Sequence, residues 1–123
     1  MLKYALAAAS LAVCLPAMAL AQDATHGAKV FASDCSSCHS VKSPPQTLVG
    51  PSLLGVVGRK AGAEAGFKYS KAMATAGFVW TVQKLDEYLE HPQKEVPANH
   101  MPFGGLANAK DRSDLIAYLA HPR

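Results

Sequence analysis

Two cysteines and a histidine lie within five residues of one another. The run Cys35-Ser36-Ser37-Cys38-His39 has the C-x-x-C-H spacing that is typical of covalent haem attachment. Two thiols three positions apart at the end of a helix can add to the two vinyl groups on one side of a porphyrin. His39 then lies below the iron and can donate an imidazole nitrogen to it. The run therefore predicts one haem c, bound through Cys35 and Cys38, with His39 as an iron ligand.

Other uses of a close cysteine pair fit the sequence less well. A thioredoxin-like C-x-x-C site needs a surrounding βαβ pattern, and no convincing strand alternation occurs in the chain. A structural zinc site needs four ligands in paired clusters, and the sequence has no second cluster. Nor is a disulfide framework indicated, because Cys35 and Cys38 are too close together to brace a fold.

The second iron ligand separates two classes of function. An open iron binds oxygen, peroxide or other small ligands, whereas a methionine sulfur fills the site, raises the potential and suits electron transfer. Met101 lies in the irregular stretch 96–105, which can bring a side chain to the far face of a haem. Met73 lies in a predicted helix, where methionine is usually core filler. We predict Met101 as the ligand; His100 is its nearest rival and is expected to face solvent near the haem rim.

Helical patterns occur at both ends of the chain, with loop-rich sequence between them. The predicted helical segments are 24–35, 70–76, 81–90, 92–96 and a last helix that begins at Asn108 or Asp111 and ends before Pro122. Asp23 is the expected N-cap of the first. Glycine and proline interrupt the rest of the chain repeatedly. So much loop in a small domain indicates that a cofactor fills the middle of the fold.

The first 21 residues have the pattern of a secretory signal peptide. Lys3 precedes an apolar stretch, Pro16 breaks that stretch, and Ala19-Leu20-Ala21 has the small-residue spacing that signal peptidase reads. Cleavage after Ala21 leaves residues 22–123 as one domain, which we expect in the periplasm. The alternatives are cleavage after Ala19 and an uncleaved membrane anchor, both less favoured by the pattern.

The mature chain carries only a weak positive charge. Loss of Lys3 lowers the count of lysine and arginine from 12 to 11, against 9 aspartates and glutamates. This balance is too small for a nucleic-acid binder and allows only modest electrostatic steering toward a partner. A domain of this size also has a small core, which usually needs a metal, a cofactor or a cross-link.

Residues 24–120 resemble the class I cytochromes c, in particular the short bacterial relatives of mitochondrial cytochrome c. Besides the C-x-x-C-H run, several runs occur in the order typical of that family. They are 50–53, 58–62, 66–70, Trp80, 88–90, 100–106 and 114–119. The resemblance implies an all-α class I cytochrome c fold, with about three main helices plus short helices and loops wrapped around one covalently bound haem.

The resemblance also implies roles for residues around the haem. Cys35 and Cys38 would form thioethers, and His39 and Met101 would be the axial ligands. The carbonyl of Pro51 would accept a hydrogen bond from the other imidazole nitrogen and so fix the orientation and basicity of the ring.

A second group of residues would surround the propionates and the axial methionine. Tyr69 and Trp80 would bond a haem propionate, and Arg59 would compensate its negative charge. Tyr88 would approach the methionine sulfur, and Asn99 would help to close the propionate edge. The alternative for the aromatic residues is an ordinary core position with a locally satisfied polar group. For Arg59 it is a solvated loop charge.

These residues together predict a soluble, monomeric electron carrier and not an enzyme. The resemblance implies redox partners such as a cytochrome bc complex or a periplasmic dehydrogenase as donor, and a terminal oxidase or a photosynthetic reaction centre as acceptor. Few lysines remain where the family often places them around the haem edge, so we expect association to depend weakly on salt. The alternative function is a haem enzyme or a gas-binding sensor in which Met101 is displaceable.

Overall fold

Residues 21–123, which the computed structural model describes, form five helices and long loops around a central cavity. The helices are α1 (Ala24–Asp34), α2 (Lys71–Ala74), α3 (Val82–Glu90), α4 (Pro92–Glu95) and α5 (Ala109–Ala120). Extended pairing in this part of the chain is limited to one bridge between Lys60 and Val79. The predicted all-α fold class is confirmed. None of the helices between residues 21 and 123 has the length and apolar character needed to cross a membrane.

The predicted signal peptide, residues 1–21, lies outside the described residues apart from Ala21. Its removal therefore stays a prediction.

Side-chain caps determine where the terminal helices begin. The Asp23 carboxylate accepts hydrogen bonds from the backbone N–H groups of Thr25 and His26, at 2.9 and 3.1 Å. The Asn108 side chain accepts one from the N–H of Asp111 at 3.0 Å. Such caps satisfy N–H groups that have no partner inside the helix. Of the two starts that the sequence allows for the last helix, the structure has Asn108 as the cap and Asp111 in the first turn.

The terminal helices α1 and α5 cross at a glycine. A Cβ atom built on Gly27 would overlap the backbone carbonyl of Asp114 and lie 2.9 Å from the Cβ of Tyr118. Beside this contact the rings of Phe31 and Tyr118 pack with their centroids 5.6 Å apart. The small residue therefore allows an approach between the two backbones that any side chain would prevent.

A buried carboxylate ties the beginning of the described chain to α5. Asp114 is only 1% exposed, and it accepts hydrogen bonds from the backbone N–H of Asp23, at 2.8 Å, and from the Lys110 ammonium. Burial by itself would raise the pKa of Asp114, but these two hydrogen bonds and the positive charges of Lys110 and His26 hold it below its usual value. Asp114 is therefore ionised at neutral pH.

Arg112 joins α5 to α3 and to the end of the preceding loop. Its side chain is buried; its Nε donates to Asp86 at 2.8 Å, and its Nη1 donates to the carbonyls of Leu106 and Ala107 at 2.9 and 3.0 Å. This guanidinium fixes where the loop that follows α4 returns to the helices.

A short pairing between two loops positions the far side of the cavity. The N–H of Gly58 donates to the carbonyl of Trp80, and the N–H of Trp80 donates to the carbonyl of Arg59, both at 2.8 Å. The N–H of Ala61 donates to the carbonyl of Phe78 at 2.9 Å. These bonds place Arg59 and Trp80 side by side without a β-sheet.

Candidate functional site

A cavity of about 520 Å³ lies at the centre of the fold, within the size range of small-molecule sites. All ten residues that the sequence predicts for the site line it. They are Cys35, Cys38, His39, Pro51, Arg59, Tyr69, Trp80, Tyr88, Asn99 and Met101. An apolar wall also lines the cavity. It includes Leu53, Phe67, Leu85 and Phe103.

The two thiols lie on a turn that ends α1. The N–H of Cys35 donates to the carbonyl of Phe31 at 2.9 Å, and the N–H groups of Cys38 and His39 donate to the carbonyl of Cys35 at 3.1 and 2.9 Å. Burial, with smaller contributions from Asp34 and Cys38, raises the pKa of the free Cys35 thiol to about 11. The turn thus presents two thiols and the following histidine to one wall of the cavity.

A hydrogen bond to the backbone of Pro51 holds the His39 ring in one orientation. Its Nδ1 lies 2.8 Å from the carbonyl oxygen of Pro51 and therefore carries the proton that it donates, which leaves the lone pair on Nε2. Burial lowers the pKa of His39 more than the bond to Pro51 raises it, so the ring is neutral at neutral pH. A neutral imidazole with a fixed tautomer is the form that binds a metal.

Gly50 makes room for this imidazole. A Cβ atom at position 50 would overlap Cε1 of His39 and lie 2.8 Å from its Nδ1. The N–H of Gly50 also donates to the carbonyl of Cys38 at 2.8 Å, which fixes the loop against the thiol-bearing turn. Gly50 belongs to the run 50–53, but its contact with His39 could not be predicted from the sequence because it depends on how the loop folds back.

Met101 reaches the cavity from the loop that follows α4. It is half-buried, and the hydroxyl of Tyr88 lies 4.0 Å from its sulfur as a donor. Burial raises the pKa of Tyr88 to about 12, so the phenol keeps its proton. Its neighbour His100 is exposed, as expected. Met73, on α2, is buried and also lines the cavity, so a second methionine is present there.

Arg59 has a partner that the sequence analysis did not identify. Its Nη1 lies 2.8 Å from a carboxylate oxygen of Glu64, and its Nη2 donates to the carbonyl of Ser52 at 2.8 Å. The Arg59 side chain is only 15% exposed and is therefore not a solvated loop charge, whereas its role toward a haem propionate stays a prediction. Its Nε is buried without a hydrogen-bond partner in the described part of the chain, which leaves one donor that a bound carboxylate would satisfy.

Tyr69 and Trp80 line the same side of the cavity. The Tyr69 oxygen accepts a bond from the N–H of Glu64 at 3.3 Å, and burial raises its pKa, so its own hydrogen is available for donation. Trp80 packs edge-on against Phe78, with the ring centroids 4.7 Å apart. Both aromatic residues are thus held by neighbours while they face the cavity.

Asn99 forms hydrogen bonds to α4 and to the loop that carries Met101. Its amide nitrogen donates to the carbonyls of Pro92 and Val96, at 3.0 and 2.9 Å, and its oxygen accepts from the N–H of Met101 at 2.9 Å. Both amide hydrogens are therefore used within the loop, and none remains for a propionate. That Asn99 helps to close the propionate edge stays a prediction, in which its amide hydrogens would take no part.

The residues around the cavity fit a covalently bound haem. Two thiols, a neutral imidazole and a thioether sulfur are the donors of a c-type site with histidine and methionine ligands. Apolar side chains form the wall between them, and the unpaired Nε of Arg59 is a donor for a buried anionic group.

Comparison with known proteins agrees with this site. The family profile described as Cytochrome c matches residues 24–122. Cytochrome c from Gibberella zeae is 45% identical over 97 residues, which cover 79% of this chain and 92% of the relative. Cytochrome c2 from Rhodomicrobium vannielii is 44% identical over 119 residues, 97% of this chain and 94% of the relative. The solved structure of cytochrome cH from Methylobacterium extorquens superposes with a TM-score of 0.74 at 41% identity and covers 79% of this chain and 96% of that one.

The relatives are matched over nearly their whole length, and the folds agree. Cytochromes c are electron-transfer proteins rather than enzymes, and their haem c is attached through the cysteines of a C-x-x-C-H run. With Cys35, Cys38 and His39 on the wall of the cavity, this chain belongs to the cytochrome c family.

Proposed function

We propose that residues 22–123 form a soluble periplasmic carrier that transfers one electron at a time between larger redox complexes, with His39 and Met101 as the axial ligands of its haem. The observation that carries the proposal is the arrangement around one cavity. Its wall brings together both thiols, an imidazole with its lone pair on Nε2, and a methionine sulfur next to a tyrosine hydroxyl.

The chain supports electron transfer by keeping its own structure unchanged. When bound, the haem supplies an iron that cycles between the ferrous and ferric states. Cys35 and Cys38 hold the group covalently, and the carbonyl of Pro51 keeps the His39 ring from rotating. With a protein ligand on each side, nothing has to bind or leave when the charge changes. The apolar wall excludes water, which keeps the reorganisation around the site small.

The location follows from the signal-peptide pattern. The match to the bacterial cytochrome c2 spans 97% of this chain, so it extends into the first 21 residues. This agreement supports an exported precursor; the proposed mature form, cleaved after Ala21, acts as a monomer in the periplasm. Mass analysis of the exported protein tests it, since an uncleaved chain would indicate an anchored subunit instead.

The test of the ligand assignment uses the two methionines that line the cavity. Ferric protein at neutral pH should show the weak near-infrared band from methionine sulfur to iron, and the ferrous form should bind carbon monoxide slowly. Met101→Leu should abolish the band and speed the binding, whereas the matched Met73→Leu should leave both unchanged. A protein without the band that binds carbon monoxide rapidly would instead be a gas-binding sensor or a haem enzyme.

The partners are proposed as a class. A cytochrome bc complex or a periplasmic dehydrogenase would donate the electron, and a terminal oxidase or a photosynthetic reaction centre would accept it. Among the exposed residues that line the cavity, one carboxylate, Asp34, is balanced by one ammonium, Lys68. The rate of electron exchange with such partners should therefore change little with ionic strength. A steep fall of the rate with added salt would contradict the proposed contact surface.

A further inference from the structure

We propose that Asn99 and Gln93 are positioning residues that hold Met101 toward the iron, and that the amide group of Gln93 controls how easily Met101 is displaced. The inference rests on the proposed function, in which Met101 is the axial ligand. It concerns a contact that lies outside the set of cofactor-binding residues, since Gln93 does not line the cavity.

Asn99 uses its complete hydrogen-bonding capacity within α4 and the loop that follows it, which carries Met101. Its two amide hydrogens go to the carbonyls of Pro92 and Val96, and the two acceptor positions on its oxygen take the N–H of Met101 at 2.9 Å and the Nε2 of Gln93 at 3.1 Å. The residue is buried. A buried amide whose donors and acceptors are all bonded makes the backbone around it rigid. Any rearrangement would leave a buried polar group without a hydrogen-bond partner.

Gln93 joins the same hydrogen-bond network from the solvent-exposed side of the loop. Its Nε2 lies 3.3 Å from the carbonyl oxygen of Asn99 and 3.4 Å from the carbonyl oxygen of Met101, in addition to its contact with the Asn99 side chain. One amide group therefore bridges α4 to the backbone on both sides of His100. Gln93 itself is exposed, so its side chain can be changed without disturbing the core.

The backbone of the loop needs this restraint. Ala98 has a φ of +64°, the left-handed region that residues with a side chain adopt at a cost. This strained residue directly precedes Asn99. Relaxation of the loop would lower its free energy, and the hydrogen bonds oppose that relaxation. The bonds from Asn99 and Gln93 hold the backbone of Met101 in place while Ala98 stays strained.

Different residues contact the sulfur of Met101 and its backbone. The hydroxyl of Tyr88 contacts the sulfur itself, 4.0 Å away, whereas Asn99 and Gln93 act on the backbone that carries it. Loss of the Gln93 amide should raise the fraction of molecules in which Met101 has left the iron. A hydrogen bond with a net contribution of about 1 kcal/mol changes that fraction about fivefold.

The test compares the same substitution at two exposed glutamines in the haem-containing protein. Gln93→Leu removes the amide at the loop, and Gln83→Leu removes an amide that bonds only to Glu87 on α3, at 3.0 Å. For Gln93→Leu we expect carbon monoxide to bind the ferrous protein about fivefold faster, with a weaker near-infrared sulfur band in the ferric protein. Gln83→Leu should match the wild type in both.

A second variant, Asn99→Asp, tests the same hydrogen-bond network in case Gln93→Leu acts only through general stability. Asn99→Asp has the same shape and keeps an acceptor for the N–H of Met101, but it loses the two donated bonds. It should bind carbon monoxide faster than the wild type as well. The free energy of unfolding is measured for each variant, because a purely structural role would change that value and leave the band intact.

The outcomes separate this inference from the proposed function. If the wild type has the near-infrared band and Gln93→Leu leaves both the band and the carbon monoxide rate unchanged, the positioning role is wrong and the carrier function stands. If the wild type itself lacks the band, Met101 is not the ligand, and both proposals are wrong.

Discussion

Arg59 and Glu64 form a pair that brings a negative charge close to the cavity. Their charged atoms are 2.8 Å apart, and the two side chains are only 15% and 18% exposed. A partly buried pair of this kind interacts more strongly than a surface pair because solvent screens it less. A carboxylate beside the site stabilises the ferric state, which has the higher positive charge, over the ferrous state.

Glu64→Gln should therefore raise the reduction potential. The substitution removes the negative charge and releases the Arg59 charge toward the cavity, and both changes favour the ferrous state. The measurement is a spectroscopic redox titration of the haem-containing protein. Glu87→Gln, at an exposed carboxylate on α3, is the control and should shift the potential much less. An unchanged or lower potential in Glu64→Gln would contradict this reading of the pair.

Gly50→Ala should displace the His39 ring. The added methyl group would overlap the imidazole, so either the ring or the loop must move. Overpacking of this kind lowers the free energy of unfolding by about 2 kcal/mol. Denaturant unfolding measures it, and Gly104→Ala, where an added Cβ atom meets nothing within 4 Å, should change it by less than about 0.5 kcal/mol. Equal effects of the two substitutions would argue against a tight fit at His39.

At the scale of residues, the sequence predicts what depends on local spacing. Cys35, Cys38 and His39 are neighbours in the chain, so their common turn follows from the motif. The roles of Gly50, Glu64 and Asn99 depend on how loops fold back on themselves, and local spacing does not encode that. The contacts of Gly50 with His39, of Glu64 with Arg59 and of Asn99 with Met101 therefore could not be predicted from the sequence.

At the scale of elements, the terminal helices pack through a small contact with a buried charge at its edge. Gly27 allows the backbones to meet, and Asp114 ties the N-cap residue of α1 to α5. The order and approximate bounds of all five helices could be predicted, because caps and apolar stripes are local signals. The predicted segment 70–76 is longer than α2, since Ser70 is the N-cap and the helix ends at Ala74.

The contribution of Asp114 should make the stability of the fold depend on pH. Its pKa in the folded protein is lower than in the unfolded chain, where aspartate titrates near about 3.9. The ionised carboxylate therefore stabilises the fold above that unfolded value, and the contribution is lost as the pH falls through the lower, folded value. Asp114→Asn should be less stable than the wild type at about pH 6, and the difference should shrink by about pH 3.

Urea unfolding of both proteins across this range is the measurement. Glu87→Gln removes an exposed carboxylate and serves as the control, whose difference from the wild type should stay small throughout. A difference between wild type and Asp114→Asn that is constant with pH would show that the carboxylate contributes by packing alone.

At the scale of the whole molecule, the buried apolar side chains are arranged around the cavity. Helices and loops from every part of the described chain face a space of about 520 Å³, and many of the lining side chains are apolar. A chain of this size cannot close such a space with its own side chains. The high proportion of loop in the sequence already predicts a central cofactor.

The chain without haem should therefore lack a stable fold. Cys35→Ala combined with Cys38→Ala prevents covalent attachment, and the haem-free product should show little fixed tertiary structure by near-ultraviolet circular dichroism. Its thermal unfolding should have no cooperative transition, because the apolar lining would be open to water. A sharp, native-like transition in the haem-free chain would contradict a fold built around the cofactor.

One haem, attached through Cys35 and Cys38, is the redox centre of this molecule and the group around which it folds. The most direct test is the intact mass of the exported protein after denaturation, which removes any group that is not covalently bound. We expect the mass of residues 22–123 plus that of one haem. A denatured chain that carries no added haem mass would contradict it.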